Sequence, residues 1–500
     1  MSQLHLGTGR LAPDLVDDLE AANPHWFDKP AKPFPAFQRT IFSRLYRLLT
    51  GGALSPAVTL RGPRRVGKTV LLQQTVARLL ADGVRSNRIL YVTFDELPSL
   101  KGLKEPVLTI ARWFEQSRLG RTFNDAAHAV EPAYLLFDEI QNLRDWAPQL
   151  KHLVDTQAVR VLITGSSSLR IEAGRDSIAG RVTTLDLGPL TLREIAGLRG
   201  AAAGQPFWVD NGPGRLAERA FWLEGRAHAE ADGEQRRMAF ELFSERGAYP
   251  FAHDRADASW EEVAGFLNET VIERAIQHDL RVGERGRKRD KALLEGVFRA
   301  CCRYAGQTPG PAVFVPDLKR MLHADVGWNR VRNYLEFLDA TMLVRLVPPL
   351  EIRLKRRRAP DKICLCDHAL RASWLQEIVP LVPERLAEAP ELSDLAGHIA
   401  ESVLGYFLAT VPNLQIAHFP ETGAEPEVDF VLTVGDRRIP VEVKYRRRID
   451  PVGDTRGLVA FLEKSVYRAP FGLLVTQDGR VDIPDPRVIP IPLSSILWLR

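Results

Sequence analysis

Residues 60–72, LRGPRRVGKTVLL, decide the fold of the first part of this 500-residue chain. They contain the pattern GxxxxGK[ST] between an apolar strand-like run and an apolar helix-like run. The eight residues of the pattern are Gly62, Pro63, Arg64, Arg65, Val66, Gly67, Lys68 and Thr69. The two glycines allow a tight turn whose backbone N–H groups face phosphate oxygens, while the lysine supplies charge and the threonine hydroxyl ligates Mg²⁺. The sequence therefore predicts a loop that binds the phosphates of ATP together with Mg²⁺.

A second segment, YLLFDE at 134–139, predicts the other half of this site. An apolar run that ends in two carboxylates is typical of a buried central strand with its acids at the carboxyl end. We expect Asp138 to hold Mg²⁺ and Glu139 to polarise the attacking water.

A third strand, VRVLIT at 159–164, leads into Ser166. A polar side chain at this position senses the γ-phosphate or the lytic water, or it is an ordinary helix N-cap. Arg175 and Arg181 follow as candidates for stabilising charge on the transferred phosphoryl group. A solvated or capping role is the alternative for Arg175.

Length and composition predict a multidomain chain of the globular, soluble class. The length exceeds what one hydrophobic core supports, and the net charge is only +4. No apolar run reaches the roughly 18 residues of a membrane helix. We therefore expect a cytoplasmic protein with no membrane partner, in which the four cysteines are reduced and buried.

Strand and helix patterns alternate through residues 36–190 and predict a doubly wound parallel sheet with the nucleotide at the carboxyl ends of its strands. Residues 1–35 precede it as a short arm. Residues 191–290 predict a helical lid, with an insertion near 200–235.

Residues 291–390 predict a winged helix, in which the third helix enters a DNA groove. That helix offers Trp328, Asn329, Arg330, Arg332 and Asn333. Basic runs at 285–291, 355–358 and 444–448 also favour a nucleic-acid partner. The alternative is a module that packs or contacts protein.

Residues 391–500 carry a second set of acidic side chains. The predicted order is αβββαβ, with Glu401 on the helix, Asp429 on the second strand, and Glu442 and Lys444 on the third. Carboxylates converging from neighbouring strands suit Mg²⁺, and Lys444 lies on the same face as Glu442 because strand side chains repeat every two residues. This order is similar to that of the PD-(D/E)xK nucleases. The alternative is an exposed amphipathic edge strand, for which VEVK is an ordinary sequence.

Together these segments resemble a group of bacterial and archaeal ATP-binding proteins that join an AAA-type ATPase of the archaeal-ATPase/STAND-like branch to a C-terminal restriction-endonuclease-like domain of unknown function. The resemblance covers the chain from about residue 36 to its end. It is carried by the segments GPRRVGKT (62–69), FDEIQNLRDW (137–146), ITGSSS (163–168), GRVTTLDLGPLTLREI (180–195), NETVIERAIQHDL (268–280), EVDFVL (427–432) and VEVK (441–444). It implies a P-loop AAA-type core, a helical lid, a winged helix and an α/β nuclease-like domain. It also favours Arg181 over Arg175, whereas Ser402 departs from the asparagine that usually follows the glutamate at position 401.

Two functions from different classes follow from this reading. The first is an ATPase whose nucleotide cycle drives or regulates a metal-dependent nuclease-like domain acting on DNA. The second is an ATP-dependent switch that binds DNA or a protein partner and whose C-terminal domain is a catalytically silent platform, with a protein-remodelling ATPase as a third possibility. A role for Arg181 across a subunit interface would require a homo-oligomer, whereas a role within its own chain would need only a monomer.

Overall fold

The computed structural model describes residues 11–52, 55–95, 98–100, 102–165, 178–201, 204–209, 212–255, 257–279, 290–352, 355–356, 359–421, 423, 425–479 and 481–500. The chain divides into two compact units, Met1–Leu187 and Gly188–Arg500. Within the described ranges, no helix is both long enough and apolar enough to cross a membrane.

The first unit is built on a parallel sheet of five strands in the order β2-β3-β4-β1-β5. The strands are β1 (Ala57–Arg61), β2 (Ile89–Thr93), β3 (Tyr134–Asp138), β4 (Arg160–Gly165) and β5 (Val182–Asp186). The helices are α1 (Pro13–Ala22), α2 (Phe42–Arg47), α3 (Lys68–Ala81), α4 (Pro106–Phe114), α5 (Phe123–His128) and α6 (Trp146–Thr156). This arrangement confirms the predicted α/β fold class.

The fully buried strand β3 lies inside this sheet, and its apolar side chains join the core. Its burial explains the continuous apolar run, because a central parallel strand is covered on both faces. Strand β5 was not predicted. Leu185 is its one buried side chain, so β5 lacks the apolar run by which the other strands were recognised.

The N-terminal segment also contains regular structure that the sequence did not indicate. Helix α1 ends at Asn23, whose side-chain amide donates to the Tyr91 carbonyl oxygen at 2.7 Å and accepts from the Tyr91 N–H at 2.8 Å. These two bonds satisfy backbone groups on β2, an edge strand of the sheet. An edge strand with unpaired N–H and C=O groups is prone to pair with other chains, so Asn23 protects this edge.

The second unit begins with helices and continues into an α/β region. Its helices are α7 (Leu192–Leu198), α8 (Arg219–Ala231), α9 (Gly233–Arg246), α10 (Pro250–Asp254), α11 (Trp260–Leu267), α12 (Arg274–Asp279), α13 (Lys291–Arg303), α14 (Pro311–Leu322), α15 (Trp328–Ala340), α16 (His368–Leu375), α17 (Pro383–Glu388), α18 (Ser393–Ala409), α19 (Arg456–Leu462) and α20 (Leu493–Trp498). Two short antiparallel pairs follow α15: β6 (Val344–Val347) pairs with β9 (Lys362–Leu365), and β7 (Glu351–Ile352) pairs with β8 (Lys355–Arg356).

The unit ends in a second five-stranded sheet whose order follows the chain. Its strands are β10 (Gln415–Phe419), β11 (Val428–Val434), β12 (Arg437–Lys444), β13 (Gly472–Thr476) and β14 (Val488–Pro492). The first three are antiparallel, and the last three are parallel. Strand β14 and helix α20 were absent from the predicted order.

Helix α18 packs closely against this sheet at Gly405. A Cβ at Gly405 would lie 2.7 Å from the Phe430 ring on β11 and would also overlap the Cys364 sulfur on β9. Gly397, two turns earlier on the same helix, has open space where its Cβ would be. Glu401 lies between these glycines, so close packing at Gly405 sets how near Glu401 comes to β9 and β11.

We predict that Gly405→Ala destabilises the second unit by roughly 1–3 kcal/mol, because overpacking forces neighbouring side chains or backbone to move. The matched change Gly397→Ala should instead stabilise the helix by about 0.5–1 kcal/mol through its backbone propensity. Urea unfolding followed by circular dichroism measures both changes. Equal effects at the two glycines would contradict the packing argument.

Candidate functional site

The predicted phosphate-binding loop lies between β1 and α3. Gly67 has a φ of 99°, a conformation that glycine adopts without a steric penalty. A Cβ at Gly62 would overlap the carbonyl oxygen of Leu187, directly after β5. Both glycines of the pattern are therefore required by the backbone.

Lys68 folds over this loop. Its Nζ donates to the carbonyl oxygens of Gly62 at 3.0 Å and Pro63 at 2.8 Å, and it lies 4.0 Å from a Glu139 carboxylate oxygen. The side chain is only 4% exposed. The loop is also supported by Arg39, which donates to the Val66 carbonyl oxygen at 2.8 Å. Sequence reasoning missed Arg39, which stands outside every motif.

Asp138 is the buried acid of the site and is surrounded by hydroxyl groups. It accepts hydrogen bonds from Thr69 Oγ1 at 2.8 Å, from the Tyr91 hydroxyl at 3.1 Å and from Thr164 Oγ1. Burial raises the pKa of Asp138, and the nearby Glu139 acts in the same direction. The hydroxyls are neutral donors, so they leave the negative charge of Asp138 to be balanced by a cation. The meeting of Thr69 and Asp138 therefore fits Mg²⁺, a cation that prefers oxygen ligands.

Glu139 is held by the next strand. Its backbone N–H donates to Thr164 Oγ1 at 3.1 Å, and its carboxylate accepts from Gln141 Nε2. Thr164, at the carboxyl end of β4, thus contacts both acids, although the sequence analysis assigned the sensing role to Ser166. Ser166 and Arg175 lie in 166–177, outside the described residues. The available signal for Thr164 was its place as the last side chain of an otherwise apolar strand.

Arg181 lies at the end of the strands opposite to the phosphate-binding loop. It directly precedes β5, at the amino ends of the strands, and it pairs with Asp155 at 2.6 Å. Because β5 has five residues, the amino ends of the strands lie about 15 Å from the phosphate-binding loop at the usual rise per residue. This position favours action of Arg181 across a subunit interface over action within its own chain, and its catalytic role stays a prediction.

The second predicted set of side chains does come together in the C-terminal sheet. Extending the β11–β12 register by one residue places Asp429 opposite Glu442, and cross-strand neighbours have Cβ atoms only about 5 Å apart. Asp429 accepts from the Val443 N–H at 2.9 Å, and Lys444 Nζ donates to Glu442 at 2.6 Å. Asp429 and Glu442 are 7% and 8% exposed, so this is not an exposed edge.

Sequence reasoning missed the residue at the centre of this carboxylate cluster. Lys362, the first residue of β9, is buried, and its Nζ lies 3.0 Å from Glu401 Oε2 and 2.9 Å from Asp429 Oδ1. Glu427 lies further away, at 4.0 Å. The only signal in the sequence was a lysine at the head of the apolar strand KICL, which is also an ordinary place for an exposed strand end.

The cluster shifts the pKa values of its members in opposite directions. Burial raises the pKa of Glu442 to about 8, and the Asp429 charge adds to this effect. Burial and Asp429 also raise the pKa of Glu401. Burial alone would raise the pKa of Asp429, but the Lys362 ammonium and the Val443 N–H outweigh it and hold the pKa below its usual range. Asp429 and Lys362 thus form the charged pair of the cluster.

Among the described residues, no group of three or more His, Cys, Asp or Glu side chains is arranged to hold a metal ion. The metal-ligand roles of Glu401, Asp429 and Glu442 therefore stay predictions. The ammonium of Lys362 contacts two of these three carboxylates. The donor set as folded does not fit a divalent cation between Glu401 and Asp429.

Comparison with known families assigns a domain to the part of the chain that contains the first of the two sites. Residues 54–196 match the family model of an AAA domain. Residues 239–378 and 396–495 match models described as domains of unknown function, DUF8612 and DUF4143. The N-terminal part of the chain therefore carries an AAA-type domain, and such a domain implies nucleotide binding.

Two relatives carry the description uncharacterized protein. One from Methanocaldococcus jannaschii is 35% identical over 139 residues, which is 27% of each chain. One from Haemophilus influenzae is 22% identical over 317 residues, covering 62% of this chain and 67% of the relative. The chain thus spans about a quarter of the length of the first relative.

Two solved structures show a distant likeness. The Saccharomyces cerevisiae Hsp104–ADP complex has a TM-score of 0.30 at 13% identity, covering 64% of this chain and 41% of that one. Caenorhabditis elegans PCH-2 has a TM-score of 0.20 at 17% identity, covering 32% and 44%. Neither likeness is close enough to bear on function.

The raised pKa of Glu442 predicts a pH-dependent stability. Its folded pKa is about 8 against 4.5 for the ordinary group, so the folded state keeps a proton that the unfolded state has lost. Stability should therefore fall as pH rises through this window. Glu442→Gln should remove up to about 1.4 kcal/mol per pH unit of that slope. Urea unfolding at three pH values checks this, with the exposed Glu391→Gln as control; equal slopes in both variants would contradict it.

Proposed function

We propose that the chain hydrolyses ATP in the site formed by the phosphate loop, Asp138 and Glu139. The observation that carries this proposal is the contact of Thr69 with Asp138 at 2.8 Å, reinforced by the Thr164 hydroxyl. Groups of this kind hold a nucleotide–Mg²⁺ complex in P-loop ATPases, and these residues lie within the range that matches the AAA-domain model, which supports the proposal. ATP and Mg²⁺ are the proposed cofactors.

Each side chain has a distinct role in this proposal. Lys68, now bonded to carbonyl oxygens of its own loop, would turn to the phosphates, and Thr69 and Asp138 would hold Mg²⁺. Bound Mg²⁺ supplies charge that offsets the negative charge developing on the phosphates. Glu139, oriented by Gln141, would accept a proton from the attacking water.

A contribution from Arg181 requires a second copy of the chain. Its place at the amino edge of the sheet favours action on the nucleotide of a neighbouring subunit, after its ion pair with Asp155 opens. We therefore propose that the active form is a homo-oligomer.

For the remainder of the chain we propose residues 191–290 as a helical lid, 291–390 as a winged helix and 391–500 as a nuclease-like domain, with 1–35 as an arm and 36–190 as the ATPase core. Helix α15 supports the winged helix because it exposes Asn329, Arg330, Arg332 and Asn333. Arg330 pairs with Asp290 and Arg332 with Glu336, so part of this charge is already balanced. DNA is the proposed partner.

The leading sequence hypothesis, a nuclease driven by ATP, has a rival that the geometry favours. The ion pairs of Lys362 with Glu401 and Asp429 balance charges that a nuclease would leave for metal ions. We therefore propose the second function: an ATP-dependent switch that binds DNA and whose nuclease-like domain is catalytically silent.

The ATPase proposal predicts that Thr164→Val lowers kcat for ATP hydrolysis roughly ten- to hundredfold, because hydrogen bonds to charged groups contribute about 1.5–3 kcal/mol. The matched control is Thr59→Val on β1. The Thr59 hydroxyl is buried and has no hydrogen-bond partner among the described residues. Steady-state hydrolysis by the two variants decides the matter. Equal activity in both would remove the role assigned to Thr164, and absence of hydrolysis in the unmodified protein would remove the ATPase proposal.

The switch proposal predicts DNA-stimulated ATP hydrolysis without strand cleavage. Supercoiled plasmid incubated with protein, ATP and Mg²⁺ should stay intact, and the double variant Asp429→Asn/Glu442→Gln should give the same result. DNA affinity should fall steeply with salt, because binding releases counterions. Nicking that the double variant abolishes would restore the nuclease hypothesis. Hydrolysis indifferent to DNA, with salt-independent binding, would point to a protein partner.

A further inference from the structure

Lys362 is the buried cation of the carboxylate cluster. Its ammonium is within hydrogen-bond distance of Glu401 on α18 and Asp429 on β11, and it lies 5.0 Å from the centre of the Phe430 ring. The side chain is 2% exposed. One charged group therefore joins strand β9 to the helix and the sheet that follow it in the chain.

A buried ammonium is tolerated only where its charge is paired and its N–H groups are bonded. The same requirement holds for buried carboxylates, which need a cation or several donors. A divalent metal ion would sit between carboxylate oxygens at about 2.0–2.6 Å from each. The Lys362 nitrogen occupies the equivalent place between Glu401 and Asp429, at the longer distances of hydrogen bonds.

The third carboxylate of the cluster, Glu442, is only partly hydrogen-bonded. Glu442 is 8% exposed, and one oxygen bonds to Lys444, whereas its Oε2 is buried without a hydrogen-bond partner among the described residues. A buried acceptor with no partner costs free energy. This oxygen is on the strand beside Asp429, and a cation bound there would displace no hydrogen bond of the described residues.

We propose that Lys362 acts as a built-in cation that closes this cluster to divalent metal ions, and that Glu401, Asp429 and Glu442 form a latent site for a hard divalent cation once the ammonium is removed. This inference rests on the proposed silence of the C-terminal domain and is independent of ATP hydrolysis. It attributes the proposed lack of nuclease activity to Lys362, a residue outside the D…ExK pattern.

The experiment measures Mn²⁺ binding by nucleotide-free full-length protein, using the paramagnetic resonance signal of free Mn²⁺. Lys362→Met should bind an additional Mn²⁺ at least about tenfold more tightly than the unmodified protein, because a unit charge next to the site no longer opposes the dication. Its melting temperature should fall in chelator and recover with Mn²⁺. The matched control, Lys464→Met, breaks the half-exposed ion pair with Glu425 and should gain no site.

Adding Asp429→Asn to Lys362→Met should abolish the gained Mn²⁺ site and its thermal effect. Equal Mn²⁺ binding by Lys362→Met and the unmodified protein would overturn the proposal. Should Lys362→Met not fold, the comparison passes to the unmodified protein and its Asp429→Asn variant. Identical Mn²⁺ isotherms support closure by Lys362, and a site lost with Asp429 refutes it. Either refutation leaves the ATPase proposal standing, since that is tested separately at Thr164.

Discussion

Each of the two units contains a buried aspartate, and the free-energy cost of removing its carboxylate from water constrains which groups can lie around it. Asp138 and Asp429 are 2% and 7% exposed, and each lies on a strand of a five-stranded sheet. An ionised carboxylate at such a depth is kept only with several donors or a paired cation. The residues around each aspartate supply these donors or this cation.

The two aspartates are satisfied by different chemistry. Hydroxyls from Thr69, Tyr91 and Thr164 surround Asp138, and because they are neutral they leave its charge available to a metal ion. Asp429 has an ammonium at 2.9 Å, which supplies the charge itself. A carboxylate that is bonded only to neutral donors still needs a cation to balance its charge. A carboxylate that is paired with a lysine does not, because the ammonium supplies that charge. This difference is the basis on which we propose a nucleotide site in the first unit and a silent cluster in the second.

Much of the fold was predictable, since its decisive features are local. The glycines of the phosphate loop, the apolar run of β3 and the period of two that places Glu442 and Lys444 on one face are written in short segments. Strand β5 was missed because its side chains are partly exposed. The pairing of Asn23 with Tyr91 joins residues 68 positions apart, so no local pattern reports it.

The same limit separates a motif from its function. The D…ExK pattern specifies donors within 16 residues of sequence, from Asp429 to Lys444, and these donors do converge. Whether these carboxylates bind a metal ion depends on whether a cationic side chain already lies among them. Here that side chain is Lys362, 67 residues before Asp429. A lysine at the head of an apolar strand has no signature of this role until the strand is placed against α18 and β11. Gly405 makes that placement close enough, because any side chain there would overlap β9 and β11. The chemistry of the cluster is thus set by a packing contact and a distant lysine together, which is why the acids alone were insufficient to assign it.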